Sequence, residues 1–154
     1  MEAALIDKWD LRFLRLADHI AQWSKDPSTK VGAVIVDDQR RVLGMGYNGF
    51  ARGVSDTPER LDDRDTKLRF VVHAEVNAIL NAVGPVAGCT LYTTPMFTCG
   101  DCAKVVVQAG IRRVVSIQKP LANITTWALS LDTAHVMYRE AGVEHVQYTP
   151  EVLE

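Results

Sequence analysis

Two short segments carry residues whose types and spacing can do metal chemistry: His73-Ala74-Glu75 and Cys99-Gly100-Asp101-Cys102. Two thiols and one imidazole suit a borderline-soft ion such as zinc. Three protein ligands also leave one tetrahedral position open, as a catalytic zinc site requires. Cys99 and Cys102 are three residues apart and share one face of a first helical turn, where the positive helix end favours thiolate over thiol. His73 and Glu75 are two apart, and only around a first turn can both lean toward the same water. That spacing divides the roles: His73, Cys99 and Cys102 hold Zn2+, while Glu75 stays off the metal and moves protons. The competing readings are a structural zinc knuckle or core cysteines without metal. A structural site needs a fourth ligand, and the remaining histidines, His19, His135 and His145, fall on helix or strand surfaces. Cys89, just ahead of a strand, reads as a small buried residue.

Helix starts placed after strands or loops must deliver these segments. Leu5, Trp9, Phe13, Leu16, Ile20 and Trp23 recur at spacings of three and four, an amphipathic helix stopped by Pro27. Val31 to Val36 and Val42 to Tyr47 read as antiparallel strands joined by a hairpin at Asp37 to Arg41. Asn48 to Arg69, with much of the charge, two glycines and Pro58, reads as a long surface excursion of the kind that carries binding groups. His73 to Val83 suits a largely buried helix ended by Gly84-Pro85, and Thr90 to Thr93 a central strand. A helix over Cys99 to Ala109 and a strand over Val114 to Ile117 follow. Trp127, Leu131, Ala134, Tyr138 and Ala141 line one face of a last helix, before a strand over Val143 to Tyr148. The order predicts an α/β fold in three layers: a five-stranded mixed sheet with helices on both faces, in one domain spanning 1–154.

Composition narrows the classes of function. The 154 residues are 47% hydrophobic and 23% charged, enough for one sizeable core. A net charge of -2, from 17 basic against 19 acidic residues, supplies no field for a nucleic acid polymer. Met1 to Trp23 mixes charged with apolar residues, so neither a signal peptide nor a membrane span is expected. Three cysteines, an odd count, point to thiols in a reducing, cytoplasmic setting.

Four stretches carry a family resemblance: SKDPSTKVGAVIVDD (Ser24 to Asp38), GYNGFARG (Gly46 to Gly53), VVHAEVNAIL (Val71 to Leu80) and CTLYTTPMFTCGDCAKVVVQAGI (Cys89 to Ile111). Together they resemble the deoxycytidylate deaminases of the cytidine deaminase superfamily. The resemblance implies the three-layer cytidine-deaminase-like fold and zinc-dependent hydrolysis of dCMP to dUMP and ammonia, supplying thymidylate synthesis. It implies homo-hexamers, and control by dCTP with Mg2+ as activator and dTTP as inhibitor. Carried onto this chain, it makes His73, Cys99 and Cys102 the zinc ligands and Glu75 the proton shuttle, and brings the backbone at Ala74 to the pyrimidine ring. Asn48 matches a sugar-binding asparagine, and Gly46, Tyr47, Asn48 and Gly49 match a segment tied to triphosphate control. Two positions and one segment depart from the pattern: Thr98 stands where proline usually precedes the first metal cysteine, Ala51 replaces a proline, and Gln118 to Thr126 replaces an aspartate-and-tyrosine segment. Another cytosine nucleotide, dCTP or a 5-modified dCMP, is the alternative substrate, and a non-catalytic zinc-containing nucleotide binder the alternative class.

Overall fold

The computed structural model describes residues 5–120 and 124–154, so part of the Gln118 to Thr126 segment, residues 121–123, lies outside them. In chain order the elements are α1 (Lys8–Ala21), β1 (Gly32–Val36), β2 (Val42–Tyr47), β3 (Gly49–Phe50), α2 (Pro58–Asp62), α3 (Arg64–Phe70), β4 (Val71–Val72), α4 (Ala74–Leu80), β5 (Thr90–Thr94), α5 (Gly100–Gln108), β6 (Arg113–Ile117), α6 (Ile124–Ala141) and β7 (Glu144–Tyr148), followed by a 3-10 turn at Pro150–Leu153. The main sheet has the order β2-β1-β5-β6-β7. β1 is antiparallel to both β2 and β5, whereas β5, β6 and β7 run parallel, with α5 and α6 as the crossover helices that parallel neighbours require. The five-stranded mixed sheet expected from the sequence is therefore present, with β5 at its centre.

Alternation along each strand divides the core into two layers. Ala33, Ile35, Leu91 and Val114 face one side with Ala74, Ala78, Ala103, Val106 and Tyr138 from α4, α5 and α6. Val34, Val36, Tyr92, Val115 and Ile117 face the other with Phe13, Leu14 and Ala17 of α1. β1 is buried along its whole length between these layers.

Asp7 caps α1 by accepting the Trp9 and Asp10 N–H groups at 2.9 and 3.2 Å. The buried face of α1 is Asp10, Phe13, Leu14, Ala17, Ile20 and Ala21, so the expected stripe is rotated, and Leu5 and Trp23 are exposed. Gly32 is the reason: a Cβ there would strike the Ala17 carbonyl and the Ala21 nitrogen. The close approach of helix and strand selects small residues at the contact. α1 is tied to the sheet by Asp10, whose carboxylate accepts two bonds at 2.8 Å from the Arg113 guanidinium and one each from the Tyr92 and Tyr148 hydroxyls at 2.9 and 3.2 Å.

Two other expectations are corrected. The Asn48 to Arg69 stretch is not a plain surface excursion: it folds into β3, α2 and α3, and β3 pairs with β4. Its charge masked a helical face, because Arg64, Lys67, Leu68 and Val71 recur at i, i+3, i+4 and i+7 and turn together toward one cavity. α4 ends at Leu80, short of Val83, and both of those side chains are exposed. Its inner face stays close to β2 because Gly44 and Gly46 lack side chains; a Cβ on Gly46 would fall 2.6 Å from the Ala74 carbonyl. Asn77 of α4 and Asn81, its C-cap, donate to the Tyr47 and Met45 carbonyls at 2.8 and 3.0 Å, which helps cover the edge strand.

Candidate metal centre and active site

β4 runs into α4 and β5 leads toward α5, so both metal segments meet on the α4–α5–α6 side of the sheet. His73 is the N-cap of α4, yet its side chain makes no capping bond and is left free for another partner. Cys99 is the N-cap of α5, and its Sγ accepts the Cys102 N–H at 3.4 Å. The His73 Nδ1 lies 3.1 Å from Cys102 Sγ and 3.4 Å from Cys99 Sγ, and one ligand atom from each of the three residues falls within 4.8 Å of the others. A tetrahedral zinc, with bonds of about 2.3 Å to sulfur and 2.0 Å to nitrogen, holds such N and S atoms roughly 3.5 Å apart, so the donor set fits the ion in both type and spacing.

The charges in the cluster favour a cation. The Cys102 contact, opposed by burial and aided by His73, pulls the Cys99 thiol down to about 4. The same contact, with burial and the Glu75 charge, pushes Cys102 upward. Contact with Cys99, opposed by burial and helped by the Glu75 charge, raises His73 to about 9. A positive ion between two adjacent thiols favours ionisation of both, because it offsets the repulsion between their negative charges.

Glu75 lies behind the cluster, 4% exposed. Burial pushes its carboxyl up, and the positive His73 only partly opposes this. Its contacts are long: the Thr93 hydroxyl donates to Oε1 at 3.3 Å, and Cys102 Sγ approaches Oε2 at 3.5 Å. Thr93 was not singled out from sequence, although alternation along a buried strand places it on the α4 side of β5.

A cavity of about 510 Å³ opens over these residues, within the roughly 300–1,000 Å³ of small-molecule sites. His73, Ala74, Glu75 and Cys99 line its inner part together with Phe97, and Asp26, Ser28, Asn48, Arg64, Lys67 and Lys119 line the rest. Asn48 is buried and largely engaged: its Oδ1 accepts the Val31 N–H at 2.9 Å and its Nδ2 donates to the Thr29 carbonyl at 2.9 Å. It therefore pins the 26–31 loop along one wall. Lys67, also missed from sequence, is buried and donates to Asp26 Oδ1 at 3.1 Å and Ser28 Oγ at 3.2 Å. The helical period of α3 was the signal for it.

The other residues of the Gly46 to Gly49 segment separate from the metal site. Gly46 packs under α4, Tyr47 is exposed with its ring edge toward Trp23, and Gly49 pairs with Val72. Tyr47, Asn48 and Gly49 line a second recess of about 150 Å³, below the roughly 300 Å³ of an enclosing small-molecule site. His135 of α6 and His145 of β7 are half-buried and outside the metal cluster; His135 stacks on Phe97 at 4.4 Å between ring centroids, and His145 meets His135 edge-on at 4.8 Å, so both join an aromatic cluster.

Residues 7–118 match the family model described as the cytidine and deoxycytidylate deaminase zinc-binding region. The chain is 39% identical over 140 residues to the uncharacterized deaminase in the luxG 3' region of Aliivibrio fischeri, covering 91% of this chain and 93% of that one. It is 37% identical over 150 residues to the deoxycytidylate deaminase of Mus musculus, covering 94% and 82%. The dCMP deaminase of cyanophage S-TIM5, solved in complex with dCMP and dUMP, superposes with a TM-score of 0.68 at 25% identity, over 94% of this chain and 99% of that one.

Proposed function

We propose a function from one premise: the chain belongs to the cytidine and deoxycytidylate deaminase family, with a zinc site of His73, Cys99 and Cys102. Deaminase activity of the zinc type follows from that membership, and the reaction we assign is hydrolysis of dCMP to dUMP and ammonia. Zinc, held by those three side chains, would supply Lewis acidity that makes the attacking water easier to deprotonate. Glu75, a buried carboxylate beside the ligands, takes a proton from the attacking water and passes protons to the ring nitrogen and the departing amine. The water oxygen becomes the new carbonyl of the product, so the reaction consumes one water and releases one ammonia. Thr93 holds one Glu75 oxygen, leaving the carboxylate oriented while it exchanges protons. Ala74 at the cavity floor presents its backbone to the ring, and Asn48 shapes the sugar region through the loop it pins.

One observation carries the choice of a monophosphate: a single cavity joins His73 and Cys99 of the metal site to Arg64, Lys67 and Lys119. The Lys67 charge is already matched by Asp26 at 3.1 Å. Arg64 and Lys119 have no carboxylate partner among the described residues, and two cations at the cavity wall suit a phosphate dianion. The similar mouse enzyme and the cyanophage complex with dCMP point the same way. The second reading, a 5-modified dCMP, draws on Lys119, Pro120 and Trp127, which line the cavity at and just beyond the departure from the family pattern.

The test is ammonia release from dCMP, CMP, dCTP, deoxycytidine and 5-methyl-dCMP. dCMP is expected to give the highest kcat/KM, with deoxycytidine at least tenfold lower for want of the phosphate. Preference for 5-methyl-dCMP selects the second reading. Equal turnover of dCMP and deoxycytidine overturns the role of the basic wall.

A further inference from the structure

Cys99 is held indirectly, by a helix that supplies no metal ligand. Tyr138 of α6 is fully buried, and its hydroxyl lies 2.5 Å from the Thr98 hydroxyl, also fully buried. Ser130 Oγ, two turns earlier on α6, accepts the Gly100 N–H at 2.8 Å. That N–H belongs to the first turn of α5, where backbone donors lack partners within the helix. His135 stacks flat on Phe97, with ring planes 9° apart, and the Tyr138 ring meets Phe97 edge-on at 5.7 Å. The residues on either side of Cys99 are therefore anchored by one helix, through side chains spaced so that they share a face.

We propose that Tyr138 and Ser130 are positioning residues of the zinc centre: acting through Thr98 and Gly100, they fix where the Cys99 thiolate points and so set how firmly the metal is retained. This rests on the zinc reading of His73, Cys99 and Cys102, and not on which nucleotide is deaminated. Chemistry favours a local effect. A buried hydroxyl pair stripped of one member leaves the other unsatisfied, and that cost falls on the residue adjoining a ligand. Partners that orient metal ligands are typically worth 10- to 100-fold in metal affinity or activity when removed.

The experiment uses the full chain loaded with zinc. Zinc content is measured first, and then the rate at which zinc passes to a colorimetric chelator in excess. One zinc per chain is expected for the unaltered protein; its absence would overturn the zinc reading itself. Tyr138→Phe keeps the ring against Phe97 and removes only the hydroxyl, and Thr98→Val removes the other partner. Each is expected to release zinc about tenfold or more faster, while the zinc-loaded fraction keeps its KM for dCMP. The double variant should release no faster than either single one, because both remove the same bond. Wild-type release rates in both single variants would overturn the positioning role, and so would a double variant whose effect is the product of the two. A merely structural role would lower the melting temperature without changing release from the folded protein. Ser130→Ala, which leaves the hydroxyl pair intact and frees only the Gly100 N–H, tests the same idea should Tyr138→Phe fail to fold.

Discussion

Asp10 and Glu75 are buried to nearly the same degree, 2% and 4% exposed, on opposite faces of one sheet, yet their ionisation is pushed in opposite directions. Burial raises both. At Asp10 it is outweighed by the Arg113 hydrogen bonds and then by the Tyr92 and Tyr148 hydroxyls, so the carboxyl lies below its ordinary range. At Glu75 the contacts are a 3.3 Å hydroxyl and a 3.5 Å thiol, and burial prevails. A fully matched buried charge pins elements together; one left short of partners is kept available for proton transfer. The sheet separates the two uses, with β5 supplying Tyr92 to one acid and Thr93 to the other.

The sharpest way to break this contrast is to neutralise each acid in turn. Glu75→Gln should lose about 10²- to 10⁴-fold in kcat while retaining zinc and the melting temperature, read by ammonia release and metal analysis on one preparation. Turnover close to normal would remove Glu75 from the mechanism. Asp10→Asn should do the reverse, keeping kcat per folded molecule but losing about 3 kcal/mol of stability in urea, because Arg113 loses its buried partner and keeps only the exposed Glu144 carboxylate, 3.5 Å away. An unchanged unfolding midpoint would mean that the pair adds nothing net.

The next effect is smaller and concerns how α4 reaches the site. Gly46→Ala should cost about 1–3 kcal/mol, since the added carbon meets α4 backbone, whereas Gly49→Ala, with nothing within 4 Å, should stay within about 0.5 kcal/mol. Equal effects in thermal melts would contradict the close packing.

The smallest effect is the pH dependence carried by Asp10. Its folded pKa is below its unfolded value, so the unfolded chain binds more protons at low pH. The contribution is complete above the unfolded pKa, near 4, and is lost as pH falls through the folded value. Urea midpoints between pH 5 and 2 should fall less steeply for Asp10→Asn than for the unaltered protein, and parallel slopes would count against the lowered pKa.

Much of the site was legible because it is local. His73 with Glu75, and Cys99 with Cys102, sit within single helical turns, so spacing alone placed each pair at a helix start. The five strands of the main sheet were legible for the same reason, as each is a short apolar run between breakers. The Asn48 to Arg69 stretch was misread because its charge concealed the α3 face, and the α1 stripe because a glycine on β1 overrode hydrophobicity in choosing which side packs.

The sequence by itself determined the ligand types, their spacing and the helix starts that carry them, since those depend on neighbours a few residues apart. Only the tertiary structure decided what meets across long separations. It brought Arg113 to Asp10, 103 residues away, Tyr138 to Thr98, 40 away, and Lys67 to Asp26, 41 away. Such pairings follow from how the layers stack and which backbones approach closely, and periodicity along the chain carries no record of either.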